Sequence, residues 1–271
     1  MRYGLCLANI GTYADPRVVV ALAEEAESAG WEALLVWDHL GFVWGPPAAD
    51  PWVTLAAVAS RTSTLVLGTN VTPVPRRRPH VLAHQVATLD VLSGGRAVFA
   101  AGIGGIASEF TSFGEEGDAR RRGEMLDEGL EVLRALWSGE PVDHRGRHYT
   151  VEGVTLAPRP VQQLLPIWIG GNSGRALRRA ARYDGWAADT TNPQGMTLSA
   201  EDVARSVQTI RAQREGSGVF DVVVMGHVER GDRDTPAAYA EAGATWWLEN
   251  VHDMRGDLDE MRALVSAGPP R

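Results

Sequence analysis

The residues best suited to catalysis in this sequence are Asp38 and His39, which stand side by side after a short apolar run. The imidazole of a histidine titrates near neutral pH, so His39 could donate or accept a proton during a reaction. Neighbouring residues on a strand point to opposite faces, so the two side chains cannot both reach one metal ion while the strand stays regular. A polar residue in a pocket wall fits the position of His39 equally well, and both interpretations stay open on these residues alone.

The sequence carries no recognised metal-binding spacing. It has a single cysteine and no HxH or HExxH motif, and its remaining histidines are scattered at positions 80, 84, 144, 148, 227 and 252. Metal sites in proteins usually bring histidines and cysteines together at short, regular spacings. We therefore predict that no metal takes part.

A second segment has the residue types that bind an anion. A short apolar run at 167–169 is typical of a buried strand, a Gly-Gly-Asn-Ser turn follows at 170–173, and a helical pattern continues from 175 to 183. In a strand, turn and helix of this kind, free backbone N–H groups and the positive end of the helix dipole point to one place. The turn therefore suits a phosphate, although a strand-to-helix turn with a serine N-cap needs no ligand.

Strands and helices alternate along the 271 residues. We predict strands at 3–8, 33–38, 64–69, 96–101, 167–169, 186–189, 220–227 and 244–249. Helices are expected at 16–29, 51–61, 79–92, 120–137, 175–183, 200–215, 235–242 and 258–265. Residues 138–165 interrupt the alternation as an excursion with a small hairpin before strand 5. Eight strand-helix units without a linker indicate an α/β fold, a single (β/α)8 TIM barrel domain over 1–271, with a doubly wound open sheet as the alternative.

In a (β/α)8 barrel the active site lies at the carboxyl ends of the strands. The residues directly after the predicted strands are therefore the candidates. They are Asn9, Asp38, His39, Asn70, Gly102 to Gly105, Gly170 to Ser173, Asp189, Glu249 and Asn250.

Composition limits the partners that we expect. The net charge of -8 argues against a nucleic-acid partner. All 26 cationic side chains are arginines, so no mechanism can use a lysine Schiff base. Cys6 is the only cysteine and stands in an apolar run, which fits a reducing cytoplasm. The sequence has neither a signal-peptide pattern nor an apolar run of membrane-spanning length, so we expect a cytoplasmic protein without a membrane partner.

Four stretches of the sequence resemble the bacterial luciferase-like flavin and deazaflavin oxidoreductases, and the resemblance covers nearly the whole chain. The first two read AEEAESAGWEALLVWDHL at 23–40 and LVLGTNVTPVPRRRPHVLAHQVATLDVLSGGRAVFAAGIG at 65–104. The other two read GEMLDEGLEVLRALWSGEPVDHRGRHY at 123–149 and LAPRPVQQLLPIWIGGNSGRALRRAARYDGW at 156–186. The second and fourth stretches are specific at the level of the family.

Within that family, the Asp-His pair resembles the branch that uses the deazaflavin coenzyme F420. The resemblance implies hydride transfer between F420 and a small unsaturated or carbonyl substrate. It places His39 beside the reactive face of the ring as the acid/base residue, Asp38 in contact with the cofactor, and the cofactor phosphate at 170–173. It also implies a non-proline cis peptide between Asn70 and Val71 behind the ring, and a homodimer.

The cofactor-binding residues that we predict form one set. They are Asp38, His39, Asn70, Val71, Thr72, Gly102, Gly104, Gly170, Gly171, Asn172 and Ser173. FMN is the alternative cofactor, since a luciferase-like monooxygenase would use reduced FMN and oxygen. A non-catalytic flavin-binding protein could have the same fold, and a metal-dependent hydrolase barrel is a more distant alternative.

The sequence departs at two points from the sugar-phosphate dehydrogenases of the F420-dependent branch. Gly105 stands where those enzymes carry a catalytic glutamate after the fourth strand, and Glu109 is the nearest substitute. We assign Glu109 as a second catalytic residue, with a solvated loop residue as the alternative. The lysines used there for the sugar phosphate are absent, which argues against glucose 6-phosphate as the substrate.

Three consecutive arginines, Arg76 to Arg78, follow the third strand. Their charge would suit an anionic cofactor tail such as the polyglutamate of F420. A solvated loop is the other interpretation, because surface charge runs usually contribute little.

Overall fold

The computed structural model describes residues 1–192, 195–229 and 231–270. In these ranges eight parallel strands form the barrel: β1 Arg2–Leu7, β2 Ala33–Val36, β3 Val66–Thr69, β4 Ala97–Gly102, β5 Ile167–Gly170, β6 Gly185–Ala188, β7 Asp221–Gly226 and β8 Trp246–Val251. Each strand pairs with the next along the chain, and β8 pairs with β1, so the sheet closes. The predicted (β/α)8 barrel is confirmed, whereas a single domain over 1–271 stays a prediction.

Helices cover the outside of the barrel, one after each strand in the described part of the chain. They are α1 Pro16–Ser28, α2 Pro51–Ala59, α3 Pro79–Ser93, α4 Ala119–Trp137, α5 Gly174–Ala180, α6 Ala200–Arg211, α7 Asp234–Glu241 and α8 Leu258–Ser266. Local sequence sets where they start. The first three begin with a proline, and the Asp50 carboxylate accepts hydrogen bonds from the first free N–H groups of α2, at 2.9 and 3.0 Å. No helix in the described residues is long and apolar enough to cross a membrane.

Side chains alternate between two cores along the strands. The barrel interior holds Cys6, Ala33, Leu35, Val98, Ala100, Trp168, Ala187, Val223, Trp246 and Leu248. The residues between them, such as Leu34, Val36 and Phe99, pack in the layer shared with the helices. Successive strand residues point to opposite faces. The residues that follow β2 carry the chain from these two cores to the mouth of the barrel.

The excursion at 138–165 contains the predicted hairpin, in which Val142–Arg145 pairs with Thr150–Val154. Glu128 on α4 fixes its turn by accepting hydrogen bonds from the backbone N–H groups of His148 and Tyr149, the latter at 2.7 Å. This range is described throughout, and none of its residues lines the cavity at the barrel mouth. The excursion therefore covers the outside of the barrel rather than the site.

The predicted boundaries differ from the structure by a few residues. β2 ends at Val36 rather than at Asp38, and β8 is shifted to Trp246–Val251 from the predicted 244–249. The helices α5 and α6 end earlier than predicted, at Ala180 and Arg211. At these ends the sequence pattern continues with apolar or helix-forming residues, although the regular strand or helix has already ended. The pattern alone therefore places the boundaries a few residues away.

Candidate active site

A cavity of about 1000 Å³ opens at the carboxyl ends of the strands. Its volume is at the upper end of the roughly 300–1,000 Å³ that is usual for ligand pockets. The predicted site residues that line it are Asp38, His39, Asn70, Val71, Gly102, Gly104, Glu109, Gly170 and Gly171. The structure thus brings residues from four strand ends, those of β2 to β5, to one pocket.

Three other predicted cofactor-binding residues lie outside the lining of this cavity. The buried hydroxyl of Thr72 donates to the Asp38 carboxylate at 2.9 Å. The side chain of Asn172 bonds both the backbone oxygen and the backbone N–H of Asp189, at 2.6 and 3.0 Å. Ser173 is the N-cap of α5. Each has a structural role here, and its contact with a cofactor stays a prediction.

His39 and Glu109 form a pair at the cavity wall. The Nδ1 atom of His39 lies 3.2 Å from Oε2 of Glu109, and the backbone N–H of Leu40 donates to Oε1 at 2.6 Å. With Nδ1 directed to the carboxylate, Nε2 is the nitrogen left to exchange a proton with a ligand. Glu109 is only 1% exposed, so the interpretation as a solvated loop residue is wrong.

Arg76 connects this pair to Asp38. Its Nη1 atom donates to Oε2 of Glu109 at 2.8 Å, and its Nη2 atom donates to Oδ1 of Asp38 at 2.7 Å. Arg77 also donates to Oδ1 of Asp38, at 2.7 Å. The side chains of Arg76 and Arg77 are 5% and 18% exposed, so neither is a solvated loop residue. Because both guanidinium groups already pair with buried carboxylates, only the exposed Arg78 keeps the predicted freedom to meet an anionic tail.

The environment of Glu109 favours its charged form. Burial by itself would raise the pKa of this carboxyl, since it removes the charge from water. The hydrogen bond and charge of His39, the Leu40 N–H and the charge of Arg76 outweigh burial and leave the pKa below its usual value. Glu109 is therefore a carboxylate at neutral pH, and its negative charge lies beside the His39 ring.

Two tryptophans border the pair in the cavity wall. The ring of Trp44 meets His39 edge-to-face at 4.9 Å between centroids, and Trp37 does so at 6.1 Å. Both tryptophans line the cavity. The two rings cover part of the imidazole, whose side chain remains 29% exposed.

The floor of the cavity is formed by a bulge after β3. The peptide bond between Asn70 and Val71 is cis, as the resemblance implied. The Val71 side chain lies against two strand ends, where a Cβ atom added at Gly102 or Gly170 would stand 2.6 or 2.9 Å from a Val71 methyl group. The glycines at these positions therefore make room for the Val71 side chain.

A second pair of histidines lies on the other side of the barrel mouth. The Nε2 atoms of His227 and His252 are 3.2 Å apart, and the amide nitrogen of Asn250 donates to Nε2 of His227 at 3.2 Å. Burial lowers the pKa of His227 to about 4, helped by the charge of Arg255 and by His252. His252 and Asn250 line the cavity together with Asp189 and Asp253, so the far wall offers both uncharged hydrogen-bonding groups and carboxyl groups.

The turn at 170–173 is only partly free to bind an anion. Gly171 has a φ of 103°, a conformation that glycine adopts readily, and its N–H already donates to the Ala187 oxygen at 3.3 Å. The side chain of Ser173 accepts the N–H of Ala176. A phosphate at this turn would therefore use the backbone N–H groups that lie between Gly171 and Ala176.

The family model described as luciferase-like monooxygenase matches residues 2–266. This chain belongs to that family. It is 37% identical over 163 residues to the F420-dependent glucose-6-phosphate dehydrogenase of Microbacterium testaceum, a match that covers 58% of this chain and 47% of the relative. It is 31% identical over 266 residues to the enzyme of the same name from Rhodococcus hoagii, covering 94% of this chain and 77% of the relative.

Among the curated relatives, the chain spans about half the length of the one from Microbacterium testaceum and of the F420-dependent hydroxymycolic acid dehydrogenase of Mycobacterium tuberculosis, with 47% and 51% covered. Solved structures share the fold. An F420-dependent secondary alcohol dehydrogenase in complex with an F420-acetone adduct matches with a TM-score of 0.80 at 19% identity, covering 99% of this chain and 98% of that one. The F420-dependent tetrahydromethanopterin reductase of Methanopyrus kandleri matches with a TM-score of 0.77 at 18% identity, covering 98% and 97%.

Sequence reasoning missed three residues of this site. Trp37 falls within the predicted strand at 33–38, His252 is one of the scattered histidines, and Arg76 is one of the three arginines predicted to meet an anionic tail or to lie in a solvated loop. No local pattern identifies Arg76 or His252, whose partners lie far away in the sequence, whereas Trp37 stands directly before Asp38 and His39. In the described residues, no group of three or more histidine, cysteine, aspartate or glutamate side chains is arranged to hold a metal ion.

Proposed function

We propose that this protein is an oxidoreductase that transfers a hydride between coenzyme F420 and a small organic substrate. The observation that carries the proposal is the pair of His39 and Glu109 at the wall of a large, mainly apolar cavity, 3.2 Å apart. F420-dependent dehydrogenases among the relatives, at 31% to 37% identity, support the choice of F420 over FMN.

The residues present fit a deazaflavin. The cavity volume of about 1000 Å³ is sufficient for a tricyclic ring, and the Val71 side chain would give that ring an apolar contact. Asn70 and Gly104 border the same space, and the turn at 170–173 lies at its edge for the phosphate. When bound, F420 would supply or accept the hydride.

The protein residues would move the accompanying proton. His39 would exchange it with the substrate oxygen through Nε2, because Nδ1 is held by Glu109. The Glu109 carboxylate would stabilise the imidazolium that forms, and Arg76 would keep that carboxylate in place. Trp37 and Trp44 would contact the imidazole on two sides and limit the directions in which it can turn. The fitting substrate class is a small alcohol, carbonyl or activated alkene.

A direct test is a fluorescence titration of the purified protein with F420 and, separately, with FMN. We expect tight binding of F420 and weak binding of FMN. A screen of alcohols with oxidised F420, and of ketones and enones with reduced F420, should then show turnover at the deazaflavin absorbance. Tight FMN binding without F420 binding would instead favour the FMN-dependent monooxygenase.

A homodimer in the cytoplasm completes the proposal. Apolar side chains on the outer faces of α2 and α3 support a dimer, since Val53 is 66% and Val81 46% exposed. The buried free thiol of Cys6 fits a reducing compartment. Light scattering should give twice the chain mass, and a monomer at micromolar concentration would refute the dimer.

A further inference from the structure

Arg122 is a buried charged residue of the cavity wall that the proposed reaction does not use. It lies in the first turns of α4, is 3% exposed and lines the cavity beside Gly104. Its Nη2 atom donates to the Gly104 oxygen at 3.3 Å, and its guanidinium stands 4.3 Å from the centre of the Phe110 ring. The Nε and Nη1 atoms are buried without a hydrogen-bond partner.

Two other arginines with buried side chains in the described ranges have carboxylate partners. Arg179, which is 9% exposed, donates to both oxygens of Asp127 at 2.7 and 2.8 Å. Arg76, whose guanidinium lies 5.9 Å from the centre of the Phe110 ring, pairs with Glu109 and Asp38. Across the described ranges, no carboxylate lies within ion-pair distance of Arg122. Burying a guanidinium without a counter-ion is unfavourable, and its unfilled donors add to the penalty.

The position of Arg122 in the barrel indicates where a counter-ion for its guanidinium would come from. The Arg179 guanidinium on α5 donates to the Gly123 oxygen, so the first turns of α4 lie against the helix that follows the 170–173 turn. Arg122 itself contacts Gly104 and Phe110, which follow β4. An anionic group that pairs with Arg122 would come from the cavity that Arg122 lines.

We propose that Arg122 is the cation of an oxyanion subsite, and that a phosphate or carboxylate group of a ligand in the cavity is its counter-ion. A guanidinium presents parallel N–H groups that match both kinds of oxyanion. The oxyanion comes either from the cofactor or from the substrate. The proposal deepens the proposed function by giving the ligand a second, charged contact.

The first test uses inorganic phosphate and does not depend on F420. The thermal midpoint of purified protein is measured from 0 to 50 mM phosphate, with sodium chloride holding the ionic strength constant. We expect a rise of about 2 °C or more, since a ligand that binds only the folded state stabilises it. Arg122→Met should abolish this rise. Arg179→Met, the matched control, should lower the midpoint without phosphate and keep the rise.

Arg122→Met should also leave the phosphate-free midpoint unchanged or raise it, because it removes a buried charge that has no counter-ion. If this variant does not fold, Arg122→Gln serves in its place, since it keeps a donor and removes the charge. No phosphate effect on the wild type, or an equal effect in the Arg122 variant, would overturn the proposal.

A second titration identifies the source of the oxyanion. Wild type and Arg122→Met are titrated with F420 and with its deazaflavin chromophore lacking phosphate and glutamates. A loss of F420 affinity of tenfold or more with unchanged chromophore affinity assigns the oxyanion to the cofactor. Unchanged F420 affinity together with a lost phosphate effect assigns it to the substrate. Equal losses for both compounds would mean a general packing role and contradict the subsite. If the wild type binds no F420, the proposed function fails while the phosphate test still decides on Arg122.

Discussion

Glu109 contacts His39, which lies 70 residues earlier in the sequence, and its Oε2 atom is 3.2 Å from the Nδ1 atom of His39. This contact fixes the orientation of the imidazole and places a negative charge beside it. His39 lines the cavity and has its Nε2 atom left for a ligand, so it is the residue that we propose for proton exchange.

Substitution of the pair should therefore reduce turnover rather than binding. His39→Ala should lower kcat by about a hundredfold or more, the range expected when general acid–base catalysis is lost. Glu109→Gln keeps the shape and removes the charge, so we expect a loss of about tenfold to a hundredfold. Cofactor Kd should change little in either. Glu124→Gln, a partly exposed residue of α4, is the control, and unchanged turnover in His39→Ala would remove His39 from the mechanism.

Arg76→Met should destabilise the fold. It removes the cation between two buried carboxylates, those of Asp38 and Glu109, and breaking a buried ion pair typically costs about 3–5 kcal/mol. Urea unfolding at pH 7 measures this loss. The control is Arg78→Met, since Arg78 follows closely in the sequence and is exposed. Its free energy of unfolding should stay within about 0.5 kcal/mol of the wild-type value. Equal stability of the two variants would contradict the network.

Gly171 and Gly243 have the same backbone geometry, so alanine substitutions at the two positions can distinguish a loss of phosphate binding from the effect of backbone strain. Gly171 has a φ of 103° and Gly243 a φ of 102°, and an added Cβ would meet its nearest side-chain atom at 3.5 Å in both. Replacing either by alanine should cost about 1–2 kcal/mol of stability. Only Gly171→Ala should weaken F420 binding, by tenfold or more in a titration. Equal affinity in the two variants would remove the 170–173 turn from the cofactor site.

The floor of the cavity offers a test by rescue. A Cβ atom at Gly102 would lie 2.6 Å from a Val71 methyl group, so Gly102→Ala should displace Val71 into the cavity and weaken F420 binding. Val71→Ala in the same chain creates the missing space and should restore part of the affinity. If Gly102→Ala binds F420 as the wild type does, Val71 does not support the ring.

The histidine pair across the barrel predicts a dependence of stability on pH. Burial holds the pKa of His227 at about 4, whereas an unfolded chain would protonate it near 6.5. Between these values the unfolded state binds the extra proton, so stability is present above about pH 6.5 and falls as the pH falls toward 4. His227→Gln should flatten the urea midpoint over this window. The exposed His80→Gln should not, and a wild-type midpoint constant from pH 7 to 4.5 would refute the assignment.

The barrel could be predicted because strand and helix patterns are local, and because the prolines, capping aspartates and glycine turns agree with them. The cis peptide before Val71 and the place of His39 followed from sequence resemblance. The burial of Glu109 could not be predicted, since its partners Arg76 and Leu40 lie 33 and 69 residues away. For the same reason the arginines after β3 read as a solvated run, although two of them neutralise a buried aspartate.

The ion pairs around Arg76 have a consequence for how the selectivity of this protein could be redesigned. They join the segments after β2, β3 and β4, so any change there disturbs the charges that hold His39 in place. Asp189, Met225 and Met254 line the opposite half of the cavity and belong to other strand ends. A library of substitutions confined to these three positions would vary the shape of the cavity while leaving the pair of His39 and Glu109 unchanged.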